Sequence, residues 1–367
     1  MKDRVLMKGN EAIGEGAIRG GCQAYFGYPI TPQTELLEYM SRRMPELGRV
    51  FVQAESEIAA INMCFGAAAS GARVMTSSSG PGISLKQEGI SYTAGAQLPC
   101  VIVNVMRGGP GLGNVAPAQA DYFQATKGGG HGDYRLLVLA PNSVQEAMDL
   151  TSLAFDLADK YRNPVMVLAD GLIGQIMEPV ELHAWKPQKY DKPWALTGAK
   201  DREKNIIKSI YLQPEKLAAH NEELQAKYAE MRSSEIRFTC TQTEDAEVLL
   251  VAYGTASRVC QSVVKMARNK GFKVGLLRPI SLYPFPYEPI NDLARKVKAV
   301  VAVEFSSGQM IEDVRLGVNG LAPVHLVSRM GGIALPPDEV FAQVEEIAAL
   351  GAKTPSQLAE EASTWNS

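Results

Sequence analysis

Residues 51–82 read FVQAESEIAAINMCFGAAASGARVMTSSSGPG. The first four have the composition of a short strand, and Ser56 is placed to cap the helix that follows. Glu57 then falls in the first turn, where a carboxylate suits the positive end of the helix dipole. From residue 58 to 69 the segment is small and apolar on nearly every side, which predicts a helix buried all round. RVMTSS reads as the next strand and runs into a loop of serine, glycine and proline. Strand, helix, strand and glycine-rich loop make up the unit of a parallel α/β sheet. An acid at the mouth of a buried helix needs a partner. Such acids are ordinarily structural, but here Gly66 and two alanines follow in the same helix, and the strand beyond ends in a loop suited to a ligand.

Working outward, the rhythm recurs. AYFGYPITPQTE (24–35) is a strand to about Tyr28 and a proline-bracketed turn, with Pro32 placed to start the helix QTELLEYMSRRM. VIVNVM (101–106) is a continuous apolar run, as expected of a strand covered on both faces, and passes through Arg107 into GGPGLGN. RLLVLAPNSVQEAMDL and NPVMVLADGLIGQ repeat the pattern, so the expected architecture is α/β with a doubly wound parallel sheet. Upstream, Asn10 can cap a helix EAIGEGAIRGGC. Its Gly14, Gly16 and Gly20 do not make a dinucleotide fingerprint, because the spacing is wrong, no strand precedes them and they lie within the helix. Residues 121–133 are irregular, with a short helix in PAQADYFQAT before KGGGHGD, the composition of a functional loop.

From about residue 185 the pattern breaks. A linker-like KPQKYDKPWALTG precedes PEKLAAHNEELQAKYAEMRSSE, which reads as a solvated amphipathic helix. A second α/β unit follows in EVLLVAYGTASR, KVGLLRPISLYPFP, AVVAVEFSSGQM and VHLVSRMGG. The expected domains are residues 1–190, a linker at 191–243, and 244–367.

The chain has 367 residues and a formal net charge of −3, which gives no nucleic-acid footprint and no polybasic membrane signal. No apolar run approaches the ~20 residues that span a bilayer, and MKDRVLMKGN lacks a signal-peptide core, so the expected location is the cytoplasm. The five cysteines are isolated, with no CxxC pair, so neither a zinc site nor an iron–sulfur cluster is legible on this chain. Three loops follow the carboxyl ends of predicted strands: 28–32, 77–82 and 107–110. Ligands of doubly wound sheets bind beyond those ends. Thr31 and Arg107 on one rim can grip a carboxylate, the arginine by a two-pronged charged bond.

The spacing from Glu57 to Gly66-Ala67-Ala68 resembles the pyrimidine-binding half of thiamine-diphosphate enzymes, where one glutamate protonates the aminopyrimidine. YPITP, AESEIAAINM, SSSGPGISLKQEG, RGGPGLGN and APNSVQEA occur in the order seen in α subunits of 2-oxoacid:ferredoxin oxidoreductases. The resemblance covers nearly the whole chain. AYGTASR, LRPISLYPFP and VVAVEFSSG are similar to the carboxyl-terminal domain of transketolases and pyruvate dehydrogenase β subunits. The segment 106–135 looks most like the branched-chain (2-oxoisovalerate) type, then the 2-oxoglutarate type.

The resemblance implies thiamine diphosphate as cofactor, a 2-oxoacid and coenzyme A as substrates, and ferredoxin as electron acceptor. It implies Glu57 as the cofactor-activating acid, with Glu55 the rival that the spacing to Gly66 disfavours. Pro29, Ile30 and Thr31 of YPITP then lie at the cofactor and substrate, and Arg107 holds the substrate carboxylate. His131, in KGGGHGD, is a further candidate at the substrate. The diphosphate and its Mg2+ need a GDG motif with a later asparagine. Ala169-Asp170-Gly171 only faintly echoes it and reads as a strand-end turn. A β subunit is therefore expected to carry that half-site, and γ and ferredoxin-like δ subunits the iron–sulfur clusters. A lipoate-linked 2-oxoacid dehydrogenase subunit and a non-catalytic assembly subunit are the competing readings; YPITP and RGGPGLG favour the ferredoxin-linked class.

Overall fold

The computed structural model describes residues 4–350. In chain order the first unit contains β1 (Arg4–Lys8), α1 (Gly9–Arg19), β2 (Ala24–Gly27), α2 (Thr34–Glu46), β3 (Val50–Gln53) and α3 (Glu57–Ala69). β4 (Val74–Ser78), α4 (Gly80–Gly95), β5 (Cys100–Met106), α5 (Tyr122–Thr126), β6 (Leu137–Leu139) and α6 (Val144–Tyr161) follow. β7 (Pro164–Asp170), α7 (Gly171–Gln175), β8 (Met177–Glu181) and α8 (Pro214–Ser234) complete its continuous part. Beyond them come β9 (Phe238–Thr241), β10 (Val248–Val251), α9 (Gly254–Asn269), β11 (Val274–Pro279), β12 (Ser281–Tyr283) and α10 (Tyr287–Ala294). β13 (Ala299–Glu304), α11 (Met310–Val318), β14 (Val324–Ser328) and α12 (Pro337–Leu350) end the described chain.

Two units are separable. One comprises Met1–Arg237, Ile280–Phe285 and Met330–Gly332; the other comprises Phe238–Pro279, Pro286–Arg329 and Ile333–Ser367.

In the first unit seven strands run in the order β12-β6-β7-β5-β4-β2-β3. All pairs are parallel except β12 with β6. β2 lies between β3 and β4, so the chain reverses its direction across the sheet there. The crevice at the carboxyl ends of β2 and β4 is the switch point where such sheets bind ligands. Every residue of β5 and β7 is buried, as expected of strands covered on both faces.

Glycine fixes the helix spacing. A Cβ on Gly16 would lie 2.3 Å from Met148 O, and one on Gly20 would lie 2.8 Å from Phe155 Cδ2, so α1 can approach α6 only with glycine at these positions. The glycines of α1 therefore serve packing. Contrary to expectation, a strand does precede them: β1 forms an antiparallel two-stranded sheet with β8. It escapes notice because β1 shows only one buried position. Nor is Asn10 a cap. It is fully buried inside α1, and its Nδ2 donates to Pro32 O at 2.7 Å and to Glu35 Oε2 at 3.0 Å.

α8 is not a solvated arm. Leu224, Tyr228 and Met231 are buried in the same core as Leu137, Tyr161 and Val165. Their spacing places all three on one stripe, too narrow to stand out against the charged remainder. α3 departs from expectation in the opposite sense. One face, including Glu57, Ile61, Cys64 and Ala68, is buried, while Ile58 (49% exposed), Asn62 and Met63 face outward. Apolar composition does not distinguish a helix covered by its own chain from one with an uncovered apolar face.

The second unit has the strand order β14-β13-β10-β11-β9, parallel except for β11 with β9. Its core gathers Val248, Leu250, Val263, Leu276, Val301 and Phe341 among others. Fully buried Glu304 accepts from the backbone N–H groups of Gln309, Met310 and Ile311 and from Ser306 Oγ, closing the amino end of α11.

Candidate active site

The site is built from the loops that leave β2, β4 and β5. Ser56 caps α3 by accepting from Ala59 N at 3.2 Å, which places Glu57 in the first helical turn. Glu57 is 6% exposed. Its carboxylate lies against the start of α4: a Cβ on Gly82 would be 2.6 Å from Glu57 Oε1 and 2.0 Å from Ser78 Oγ. Only glycine leaves room for that carboxylate. Its rival Glu55 is exposed.

Every other buried acid among the described residues has a partner. Glu15 meets Arg19 and Tyr39, Asp156 and Asp159 meet Arg73, and Glu235 meets Lys160, Tyr161 and Arg237. Asp170 caps α7 by accepting from Ile173 N at 3.1 Å, the role expected of a strand-end turn. Asp313 meets Tyr287, and Glu304 is saturated by the helix end described above. The Glu57 carboxylate accepts no hydrogen bond and forms no ion pair with any described residue. A buried carboxylate left open in this way costs free energy unless something else supplies the donor.

The same end of the sheet carries further buried polar atoms without a partner: Thr76 Oγ1, Ser78 Oγ, Ser79 Oγ, Asn104 Oδ1 and Arg107 Nε. Buried polar groups are ordinarily satisfied by protein or water, so this concentration sets the region apart.

Arg107 joins the loops. Its Nη1 donates to Thr31 O at 2.9 Å and its Nη2 to Leu112 O at 2.8 Å, while a Cβ on Gly80 would lie 3.7 Å from its Cγ. Glu57, the β4–α4 turn, Arg107 and Thr31 thus form one connected neighbourhood. Thr31 meets Arg107 through its carbonyl; its side chain is exposed, as is Pro29, while Ile30 is half-buried. The YPITP loop is held from beneath, since Asn10 Nδ2 and Gln175 Nε2 both donate to Pro32 O and Gln33 Nε2 donates to Tyr28 O at 3.2 Å. Gln33 in turn closes a buried chain through Ser77 Oγ to Tyr25 OH, each link 2.6 Å.

Asp121 was not singled out by its sequence context. It accepts from Asn104 Nδ2 at 2.9 Å and from the Gly80 backbone, tying the β5 and β4 loops together. Burial pushes its carboxyl above the usual range, against the lowering effects of those bonds and of the Arg107 charge. His131 is exposed and makes no hydrogen bond with described residues. Its loop is seated on α4 through Gly129 and Gly130, whose N–H groups donate to Tyr134 OH. A Cβ on Gly130 would lie 2.8 Å from Gln87 O.

Fold and site geometry together describe an α/β subunit with a candidate ligand crevice at the carboxyl ends of β2, β4 and β5, where the Glu57 carboxylate has no partner among the described residues. Residues 15–239 match the family described as pyruvate flavodoxin/ferredoxin oxidoreductase, thiamine-diphosphate-binding, and residues 246–340 match core domain II of pyruvate:ferredoxin oxidoreductase. The chain belongs to this family and is a subunit of a 2-oxoacid:ferredoxin oxidoreductase, with a thiamine-diphosphate-binding domain.

It is 55% identical to the ketoisovalerate oxidoreductase subunit VorB of Methanothermobacter marburgensis, over 94% of this chain and 97% of that one. It is 36% identical to the 2-oxoglutarate synthase subunit KorA of Methanocaldococcus jannaschii, over 91% of this chain and 97% of that one. Among solved structures, the 2-oxoglutarate:ferredoxin oxidoreductase of Magnetococcus marinus, with 2-oxoglutarate, coenzyme A and succinyl-CoA bound, aligns with a TM-score of 0.85 at 27% identity. That alignment covers 95% of this chain and 66% of the Magnetococcus chain. A split-gene transketolase, at 16% identity and a TM-score of 0.60 over 94% of this chain and 99% of that one, shares the fold.

Proposed function

We propose that this chain supplies the pyrimidine side of a thiamine diphosphate site in a 2-oxoisovalerate:ferredoxin oxidoreductase, with Glu57 as the acid that meets the aminopyrimidine. The observation that carries the reading is the buried Glu57 carboxylate with no protein partner. What the cofactor brings when bound is a nucleophilic ring carbon and an electron sink for loss of carbon dioxide. In this reading Glu57 shares a proton with the ring nitrogen from a position only 6% exposed.

Arg107 orients the 2-oxoacid carboxylate. Its Nη1 and Nη2 each bond one carbonyl, which locks the plane of the guanidinium while leaving further N–H groups for a substrate. Thr31 stands beside it with an exposed side chain, and Pro29 and Ile30 form the rest of that rim. Holding the reacting groups in this way can contribute several kcal/mol to the rate. His131 is given no step.

An aliphatic 2-oxoacid suits the loop that carries Arg107. Leu112 (79% exposed) and Val115 are its large exposed side chains, and residues 108–116 contain no second charge to receive a distal carboxylate. The kinship with VorB supports the same choice.

The diphosphate and Mg2+ belong on a β subunit in this reading, and the clusters that pass electrons to ferredoxin on γ and δ subunits, with coenzyme A accepting the acyl group. The uncovered apolar face of α3, at the far side of the helix that carries Glu57, supports a partner there. The complex reconstituted with its partner subunits should reduce ferredoxin with 2-oxoisovalerate at a kcat/KM at least tenfold above that with 2-oxoglutarate or pyruvate. Equal or reversed preference overturns the substrate assignment, and a complex that binds no thiamine diphosphate overturns the site.

A further inference from the structure

Lys86 is fully buried, the one lysine so placed among the described residues. Burying a lysine is costly, and the structure shows why this one is held where it is. Gly82, Lys86 and Gly89 are spaced to share one face of α4, and Glu57, Ile61 and Cys64 are spaced to share one face of α3. The two faces meet. Gly82 abuts the Glu57 carboxylate, and a Cβ on Gly89 would lie 2.6 Å from Ile61 Cγ2. Lys86 lies between these glycine contacts, and its Nζ donates to the backbone carbonyl of Glu57 at 3.3 Å.

We propose that Lys86 is a positioning residue for Glu57: its ammonium group clamps the first turn of α3 and biases the proton affinity of the acid that faces the cofactor. The proposal rests on the reading of Glu57 given above.

The electrostatic surroundings are sparse. The groups that act on Lys86 are Glu57 and Cys64 from α3 and Cys100 from β5, and no ion pair neutralises it. Burial lowers its pKa to about 8, with those three groups pulling the other way. The hydrogen bond with Cys64, and then burial, hold the Cys100 thiol neutral. Glu57 is the one carboxylate among the groups that answer the lysine charge. A buried positive charge favours the ionised form of a nearby carboxylate.

The test uses the complex reconstituted with its partner subunits. The dissociation constant for thiamine diphosphate with Mg2+ is measured against pH by fluorescence titration. Wild type should show a break in log Kd where the shared proton is taken up, and Glu57→Gln should lose that break. Lys86→Met should move the break upward by on the order of half to one pH unit, whereas Lys86→Arg, which keeps the charge, should leave it close to wild type. A break at the same pH in Lys86→Met overturns the proposal, and so does weaker binding at every pH with the break unmoved, the mark of packing alone. Should Glu57→Gln retain the wild-type break, the reading of Glu57 fails instead, so the two failures are distinguishable. Thermal unfolding of each variant confirms that the comparison is between folded proteins.

Discussion

Two buried glutamates separate structure from function at the scale of single residues. Glu304 is enclosed by backbone N–H groups and a serine hydroxyl, and its bonding is complete within the chain. Glu57 is 6% exposed against 0% for Glu304, and its carboxylate is bonded to no described residue. Replacing Glu57 by Gln removes the transferable proton while keeping the shape, so turnover should fall by about 10²–10⁴-fold with the complex still assembled. Steady-state assays beside size-exclusion profiles check this; near-normal turnover would return the role to Glu55. Arg107→Ala removes a charged, two-pronged contact worth about 1.5–3 kcal/mol. The KM for the 2-oxoacid should therefore rise by roughly 10–100-fold while that for coenzyme A stays within a factor of two or so. Parallel increases in both would count against a carboxylate contact. The shared neighbourhood of Glu57, Thr31 and Arg107 was legible in the sequence because each follows a strand end or helix start that local pattern reveals. Lys86 and Asp121 were not, because what matters about them is a partner from a distant segment.

Elements show the same division. The β4–α4 turn announces itself through serine, glycine and proline, and its geometry follows. The solvated reading of α8 failed because Leu224, Tyr228 and Met231 make a thin stripe in a highly charged helix. Asn10 was mistaken for a cap because the pattern of a helix start says nothing about a buried amide reaching Pro32. Two alanine substitutions distinguish packing glycines from the one that makes room for the acid. Gly16→Ala would drive its Cβ to 2.3 Å from the Met148 carbonyl, a backbone atom that cannot yield without moving α6. It should destabilise by about 1–3 kcal/mol and lower Tm. Gly82→Ala presses instead on side-chain atoms, Glu57 Oε1 and Ser78 Oγ. It should largely spare Tm and weaken thiamine diphosphate binding at least tenfold, a contrast that calorimetry and ligand titration can read directly.

α8 also carries a pH-dependent contribution. Lys227 Nζ donates to Arg162 O at 3.2 Å and to Gln97 Oε1 at 3.3 Å. Burial, and then the Arg162 charge, lower its pKa to about 7. In the unfolded chain a lysine titrates near ~10.4. Between those values the unfolded state holds more protons, so stability rises with pH from about 7 to 10, and the penalty is fully present below 7. Lys227→Met should remove that slope and stabilise the fold at pH 7 by on the order of 1 kcal/mol. Tm measured at pH 7 and pH 9 for both proteins tests it, and identical slopes would show that the lysine is better solvated than its burial implies.

At the scale of the whole molecule, α3 is covered by its own chain on one side only. Its inner face carries Glu57 and packs on α4, while its outer face presents Ile58 and Met63, with Asn62 between them, and Gly66, where an added Cβ would meet nothing within 4 Å. A composition apolar on nearly every side predicted a buried helix, and within this chain that prediction fails. It is recovered if a second polypeptide covers the outer face, as the split site proposed above would have it. An exposed apolar helix face with few charges has the composition of an interface core. Ile58→Lys places an ammonium group in that face without touching the carboxylate, Arg107 or any core residue. The variant should fold with a Tm close to wild type and fail to co-purify with the partner subunit, and it should lose thiamine diphosphate binding along with the partner. If Ile58→Lys assembles normally and binds the cofactor as wild type does, the partner lies on another face and Glu57 must meet its ligand by a different route.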